Sequence, residues 1–204
     1  MKKLLLYLLL ILPFLIHAQI GIRAGLNFAN VTNAASINNS SRTGFHAGIF
    51  LDPGKGLLSS RTELIFSRQG YDYKTNTNTG TVNLDYLMLP QYMSINITKL
   101  LSIQFGGHIA YLLNAKVDSS SIGTGTGNPS LKILDLLNRF DFGIGGGVEV
   151  HPLAGLLIGA RMNISLIKLY DPSTYTSGTS YSFIPKTDVK NNLFQLYTGW
   201  RFGQ

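Results

Sequence analysis

The stretch Ile158-Gly159-Ala160-Arg161-Met162-Asn163-Ile164-Ser165-Leu166 decides how the chain is read. Its apolar residues fall on even positions, and Gly159, Arg161, Asn163 and Ser165 fall on odd ones. Side chains of an extended strand point alternately to opposite sides, so this spacing makes one apolar and one polar face. A helix would set Arg161 beside Ile158 and Ile164 and mix the two sets.

The same split recurs on either side. Ile20, Ile22, Ala24, Leu26 and Phe28 oppose Gly21, Arg23, Gly25 and Asn27; Phe45, Ala47, Ile49 and Leu51 oppose Gly44, His46 and Gly48. Leu58, Thr62, Leu64 and Phe66 oppose Arg61, Glu63, Ser67 and Gln69, with Phe50 and Ile65 breaking the rule. Leu87, Leu89, Met93, Ile95 and Ile97 oppose Tyr86, Ser94 and Asn96; Ile103, Phe105, Ile109, Tyr111 and Leu113 oppose Ser102, Gln104, His108 and Asn114. Phe140, Phe142, Ile144, Val148 and Val150 oppose Asp141, Gly143, Gly145, Gly147 and Glu149, and Phe194, Leu196, Trp200 and Phe202 oppose Gln195, Tyr197, Gly199 and Arg201. With the opening stretch this makes eight strands. Each is close to the roughly 9–11 residues that cross a bilayer when tilted by about 45°. The predicted fold is all-β, an eight-stranded antiparallel up-and-down transmembrane β-barrel, the smallest usual size.

Composition agrees. Of 204 residues, 45% are hydrophobic and only 13% charged, against about 25% charged in an ordinary soluble domain. Disordered chains are richer in charge, and small disulfide-stapled domains need cysteine, of which there is none. A soluble lipocalin-type barrel would carry Lys and Glu on its outer face, whereas the polar parity here is mostly Gly, Asn and Ser. Met1-Lys2-Lys3, the apolar run 4–16 and Ala18 before Gln19 read as an N-terminal signal peptide, giving residues 1–18 as a cleaved leader and 19–204 as the barrel domain. Removing Lys2 and Lys3 takes the net charge from +7 to +5.

Connections alternate in length. Segments 32–42, 73–80, 116–138 and 170–190 are longer and rich in Ser, Thr, Asn and Gly; 52–56, 98–100 and 151–155 are tight-turn material. Outer-membrane barrels have short periplasmic turns and longer external loops, so both chain ends belong on the periplasmic side of the cell outer membrane. Phe28, Phe45, Tyr111 and Phe140 then mark the outer interface, and Trp200 and Phe202 the periplasmic one. Within the third long loop, 119–127 reads as a flexible tip. Residues 131–137 have apolar spacing for a short amphipathic segment at the rim, or for a loop that folds back.

Several segments together are similar to the PorT-like outer-membrane β-barrel family of Bacteroidota. They are Gly21-Ile22-Arg23-Ala24-Gly25-Leu26-Asn27-Phe28, Glu63-Leu64-Ile65-Phe66-Ser67-Arg68-Gln69-Gly70, Tyr86-Leu87-Met88-Leu89-Pro90, Gly106 through Lys116, Arg139 through Glu149, and Ala160-Arg161-Met162-Asn163. One departure is Met88, where such proteins often carry an acidic residue. The resemblance implies an integral outer-membrane barrel, and some relatives take part in type IX secretion and gliding.

The lumen parity collects Arg23, His46, Arg61, Glu63, His108, Asp141, Glu149, Arg161 and Arg201. Unpaired buried ions are costly, so these residues are expected to form a hydrogen-bonded network that fills the lumen. Wide aqueous channels need about 16–18 strands. His46, His108, Ser67 and Glu63 supply the residue types of a nucleophilic site, but they share the lumen parity, away from lipid, and no enzyme is expected. Gly143-Ile144-Gly145-Gly146-Gly147 lies inside an alternating strand with no helix start after it, so it is not a phosphate loop. The histidines are scattered and cysteine is absent, so neither a metal nor a cofactor is expected. The charge forms no nucleic-acid stripe. Expected partners are outer-membrane lipids and, through the long loops, secretion or surface proteins. The expected role is structural or adhesion-type; an accessory part of type IX secretion or gliding machinery is the alternative, and a lipid-modifying enzyme the weakest reading.

Overall fold

The computed structural model describes residues 19–32, 39–52, 56–76, 78–121, 127–170 and 188–203. The expected leader 1–18 and parts of the long loops and of the turn at 52–56 lie outside these.

Among the described residues nine strands follow in chain order: β1 (Gln19–Val31), β2 (Ser40–Asp52), β3 (Leu58–Lys74), β4 (Asn78–Asn96), β5 (Leu101–Ser121), β6 (Gly127–Lys132), β7 (Phe140–Leu153), β8 (Leu156–Ser165) and β9 (Asn191–Arg201). Their order in the sheet is β4-β3-β2-β1-β9-β8-β7-β5-β6, and β4 also pairs with β5, which closes the ring. Because β6 pairs only with the outer end of β5, eight strands form the barrel, every pair antiparallel. The closing seam between first and last strands runs in unbroken register from Gly21↔Arg201 to Val31↔Asn191.

Alternation sets the two faces. Ile20, Ile22, Leu26, Ile49, Leu89, Ile109, Ile144 and Ile158 are exposed on the outside, while Arg23, Arg61, Glu63, Glu149 and Arg161 are buried within. An exposed apolar surface that circles the molecule exceeds what a soluble monomer carries and suits lipid. No described helix is long and apolar enough to cross a membrane. Aromatic pairs cluster at the long-loop rim: Phe28 with Phe194 at 6.2 Å, Phe45 with Phe66 at 6.0 Å and Tyr111 with Phe140 at 5.1 Å between ring centroids. Trp200 and Phe202 are exposed at the opposite rim.

Hydrogen bonding corrects the sequence reading at two places and decides between its alternatives at a third. First, β3, β4 and β5 run to 17, 19 and 21 residues, well beyond a bilayer's need. The expected loop at 73–80 is mostly ladder, paired out to Lys74↔Thr79, and its turn is tied by Thr75 N–H to the Asn78 carbonyl at 2.8 Å. Tyr73 and Thr79 there favour strand even though the run is polar. Second, a β-bulge places Leu113 as an extra residue between the pairs Tyr86↔Leu112 and Asp85↔Asn114. The bulge reverses the parity of β5, so Ala115 and Val117 turn inward. Asn114 leaves the lumen set and donates to Asp85, which also takes Arg68. Third, of the two forms expected for 131–137 the structure takes the loop that folds back, with Ile133 and Leu137 buried. It holds the end of β6, then a single 3-10 turn at Leu134–Leu136.

The two exceptions to alternation both face inward: Phe50 is 1% and Ile65 0% exposed. Phe50 fills the space that Gly21 leaves, since a Cβ there would sit 2.0 Å from its Cζ. Gly155, at φ +85°, turns the chain between β7 and β8 in a conformation that side chains rarely adopt.

Candidate functional site

The inner face brings seven of the nine expected polar residues into one connected cluster, which Asp52, Gln104, Tyr92 and Tyr197 complete. Toward the periplasm, Arg61 grips Glu149 with both Nη atoms, at 2.7 and 2.9 Å. Its Nη2 also donates to Asp52 Oδ2 at 3.0 Å, the same oxygen that Arg201 reaches at 3.0 Å. At mid-height Glu63 accepts from Arg23 at 2.8 Å and from both Nη atoms of Arg161 at 2.8 and 3.0 Å. These three side chains are at most 2% exposed.

Further contacts join the layers. Arg161 donates to Gln104 Oε1 at 2.7 Å, and the Tyr197 hydroxyl lies 3.1 Å from that oxygen and 3.0 Å from Glu149 Oε2. Arg23 stacks over the Tyr197 ring at 3.6 Å and Arg161 over Tyr92 at 3.8 Å. A planar guanidinium can pair at its edge and stack on its face at once, which suits it to a site without bulk water. Glycines on the inner face make room: a Cβ at Gly145 would lie 2.3 Å from the Tyr92 hydroxyl, and one at Gly159 would lie 2.4 Å from Tyr197 Cζ.

His46 sits between the charged layer and an amide layer above it. Arginine only donates, so Arg23 Nη2 at 3.2 Å makes His46 Nε2 an acceptor and leaves Nδ1–H to donate to Asn27 Oδ1 at 2.8 Å. Asn27 also accepts from Gln195 at 3.0 Å and donates to Ser67 Oγ at 2.9 Å. Gln195 in turn takes Asn163, which accepts from the Tyr92 hydroxyl. The remaining two expected residues stand apart. Asp141 takes Ser165 at 2.5 Å, and His108 Nδ1 has no hydrogen-bond partner among the described residues.

Above the amides the inner face turns apolar. Tyr71 and Tyr73 of β3, Val82, Leu84 and Met88 of β4, and Leu112, Ala115 and Val117 of β5 pack with Ile133, Leu137, Leu169, Tyr170 and Val189 from the loops. Tyr71 and Tyr170 share a hydrogen bond between hydroxyls. The Met88 sulfur lies 3.3 Å from Gln69 Nε2. At this height the space that a carboxylate would need a cation to fill is occupied by a thioether and its apolar neighbours. The lumen is therefore packed with polar side chains at mid-height and covered by an apolar cap at its outer end.

No catalytic constellation forms from the residue types considered. Ser67 is fully buried and bonded to Asn27 and Gln69, not to His46. Ser102, His151 and Glu149 do approach one another, but Ser102 Oγ at 3.3 Å and Glu149 Oε1 at 3.2 Å both meet Nε2 of the ring. A relay needs the carboxylate on one ring nitrogen and the nucleophile on the other. No group of three or more potential metal ligands occurs among the described residues.

Sequence parity alone found the charged members but missed Asp52, which ends β2 in what reads as a turn. It also missed the cap, although the inner parity of β3 passes from Gln69 to Tyr71 and Tyr73.

The model of a family described as outer membrane protein beta-barrel domain matches residues 13–171. Among solved structures, the chain is similar to Ail, the attachment invasion locus protein of Yersinia pestis, at 16% identity over 91% of this chain and 99% of that one, with a TM-score of 0.50. It is also similar to OprG of Pseudomonas aeruginosa, at 9% identity over 92% and 97% of the two chains with a TM-score of 0.46. Neisserial surface protein A gives 12% identity, 90% and 97%, and a TM-score of 0.45. No curated protein matches the sequence.

Proposed function

From a chain that belongs to the outer membrane protein beta-barrel domain family and resides in the outer membrane, we propose a non-catalytic barrel that acts through its external surface. The observation that carries this reading is the filled lumen. The Arg23–Glu63–Arg161 centre and the apolar cap above it occupy the route a solute would take. On the external side the rim is free to meet partners, where β3, β4 and β5 extend the sheet beyond the bilayer and carry the loops. The role is structural or adhesion-type, with outer-membrane lipids around the barrel and surface proteins at its loops. Liposome swelling tests it: vesicles containing the purified barrel swell in small sugars no faster than empty vesicles, and porin-like swelling would defeat the reading.

A second reading, an accessory component of type IX secretion or gliding machinery, draws on the resemblance to PorT-like proteins. Its characteristic proline strand now lies in β4, with Pro90 paired to His108. Co-purification from native outer membranes separates the two. A stable complex with secretion-machine subunits supports the second, and a barrel recovered without them supports the first.

A further inference from the structure

The two ends of the barrel differ. The outer end is capped, whereas the end bearing the short turns holds a cavity of about 740 Å³, in the range of about 300–1,000 Å³ typical of small-ligand sites. Gly56, Thr98, Lys99, Ala154 and Gly155 from the three short turns contribute to its wall, so it opens toward the periplasm.

Its lining is cationic. Among the described lining residues, Arg61, Lys99 and Arg201 supply three permanent positive charges, and Asp52 is the one carboxylate. Arg61 is committed, since its Nη atoms hold both Glu149 and Asp52. Arg201 is not. Among the described residues its one side-chain acceptor is Asp52 Oδ2, an oxygen that Arg61 already takes, and its Nε makes no hydrogen bond. A guanidinium has five N–H donors in a fork shaped for a carboxylate, so an entering anion supplies the acceptors that Arg201 lacks. Lys99 is exposed on the turn above, and His151 is partly exposed on the wall.

The lip is apolar. Leu57, Ile97 and Leu153 line the opening and are 75%, 53% and 65% exposed. Among the described residues, once Asp52 and Glu149 are set against Arg61 and Arg201, the surplus is the single charge of Lys99. That favours a monoanion over a phosphate dianion beside two carboxylates, and the lip favours a short carbon chain behind it.

We propose that the periplasmic mouth is a binding site for a monocarboxylate bearing a small apolar group, the chemistry shared by a free peptide C-terminus and a short fatty acid. Arg201 takes the carboxylate, Lys99 attracts it, and the apolar group rests against Leu57, Ile97 and Leu153. The site needs no opening of the lumen and is independent of whatever the external loops bind.

The test uses the complete barrel in lipid nanodiscs, with backbone amide shifts followed by NMR during titration. N-acetyl-L-leucine is expected to shift the Arg201 and Lys99 amides saturably, while N-acetyl-L-leucinamide, which lacks the charge, leaves them in place. Hexanoate distinguishes the sources: binding as tight as N-acetyl-L-leucine assigns recognition to carboxylate and chain alone, and weaker binding assigns it to a peptide end. Both outcomes support the site. Arg201→Gln is expected to weaken binding about tenfold or more, and Lys99→Gln about two- to threefold with a shallower salt dependence. Heat modifiability on gels checks that each variant is folded. No saturable shift, equal shifts from acid and amide, or wild-type affinity in both variants would overturn the proposal.

Discussion

Replacing Glu63 by Gln strikes the lumen at its centre. Glu63 is 1% exposed and accepts three hydrogen bonds from two guanidiniums, at 2.8, 2.8 and 3.0 Å. Each charged hydrogen bond contributes roughly 1.5–3 kcal/mol. Gln keeps one acceptor oxygen but turns an NH2 group toward cations, and it leaves Arg23 and Arg161 with no carboxylate between them. Removing one member of a buried ion pair costs about 3–5 kcal/mol, chiefly because the partner charge is stranded. The expected loss for Glu63→Gln is therefore about 3–5 kcal/mol. Adding Arg23→Met removes one of the stranded charges and should restore at least about 1 kcal/mol, the non-additivity expected of directly bonded neighbours. Guanidinium titration of the barrel in lipid vesicles gives these values. The single tryptophan, Trp200, is 44% exposed on the lipid side and reports the loss of that environment. A loss below about 1 kcal/mol for the single variant, or a double variant no more stable than the single, would refute the argument that Glu63 holds the two arginines in the lumen.

Three more outcomes are expected. Gly145→Leu should abolish the heat-modifiable folded form, because even its Cβ would lie 2.3–2.6 Å from Tyr92, Asn163 and Met162, while Ile144→Leu one residue earlier, facing lipid, should change stability by less than about 0.5 kcal/mol. Phe50→Ala should cost about 3–5 kcal/mol in the same guanidinium titration, since the ring is 1% exposed, packs above Gly21 and lies 4.7 Å from the Arg61 guanidinium. Deleting residues 119–127 should leave a folded, heat-modifiable barrel, because this segment lies beyond the last β5–β7 pair, Tyr111↔Phe140.

How much of this could be read from the chain depends on where the physics is local. Alternation is local, so Ile158 to Leu166 and its counterparts revealed the strands, their faces and the barrel. Strand ends are set by whether a partner's ladder continues, which is why Tyr73, Lys74 and Thr79 read as a loop although β3 and β4 stay paired out to Lys74↔Thr79. Leu113 carries no mark of a bulge, since the extra residue exists only relative to β4. In the candidate site, Arg61 and Glu149 could each be placed in the lumen, but their partnership depends on register around a closed ring. Asp52 was missed because Asp-Pro-Gly signals a turn whether its carboxylate faces water or two arginines. The apolar cap needed loops and strands to be brought together, and no periodicity encodes that.

The charged centre of the lumen also bears on how the molecule is made. Arg23 meets Glu63 across 40 positions of chain, Arg61 meets Glu149 across 88, and Arg161 meets Glu63 across 98. None of these links can form within a single hairpin. An insertion intermediate in which β3 does not yet face β7 and β8 would therefore hold Arg61 and Arg161 without their carboxylate partners, next to lipid or in a half-formed groove. The cost of that state makes sheet closure and charge pairing one event, so assembly has high contact order and little room for a stable halfway form. The lumen residues thus act as a clasp that engages fully only when the curling sheet brings β3 opposite β7 and β8.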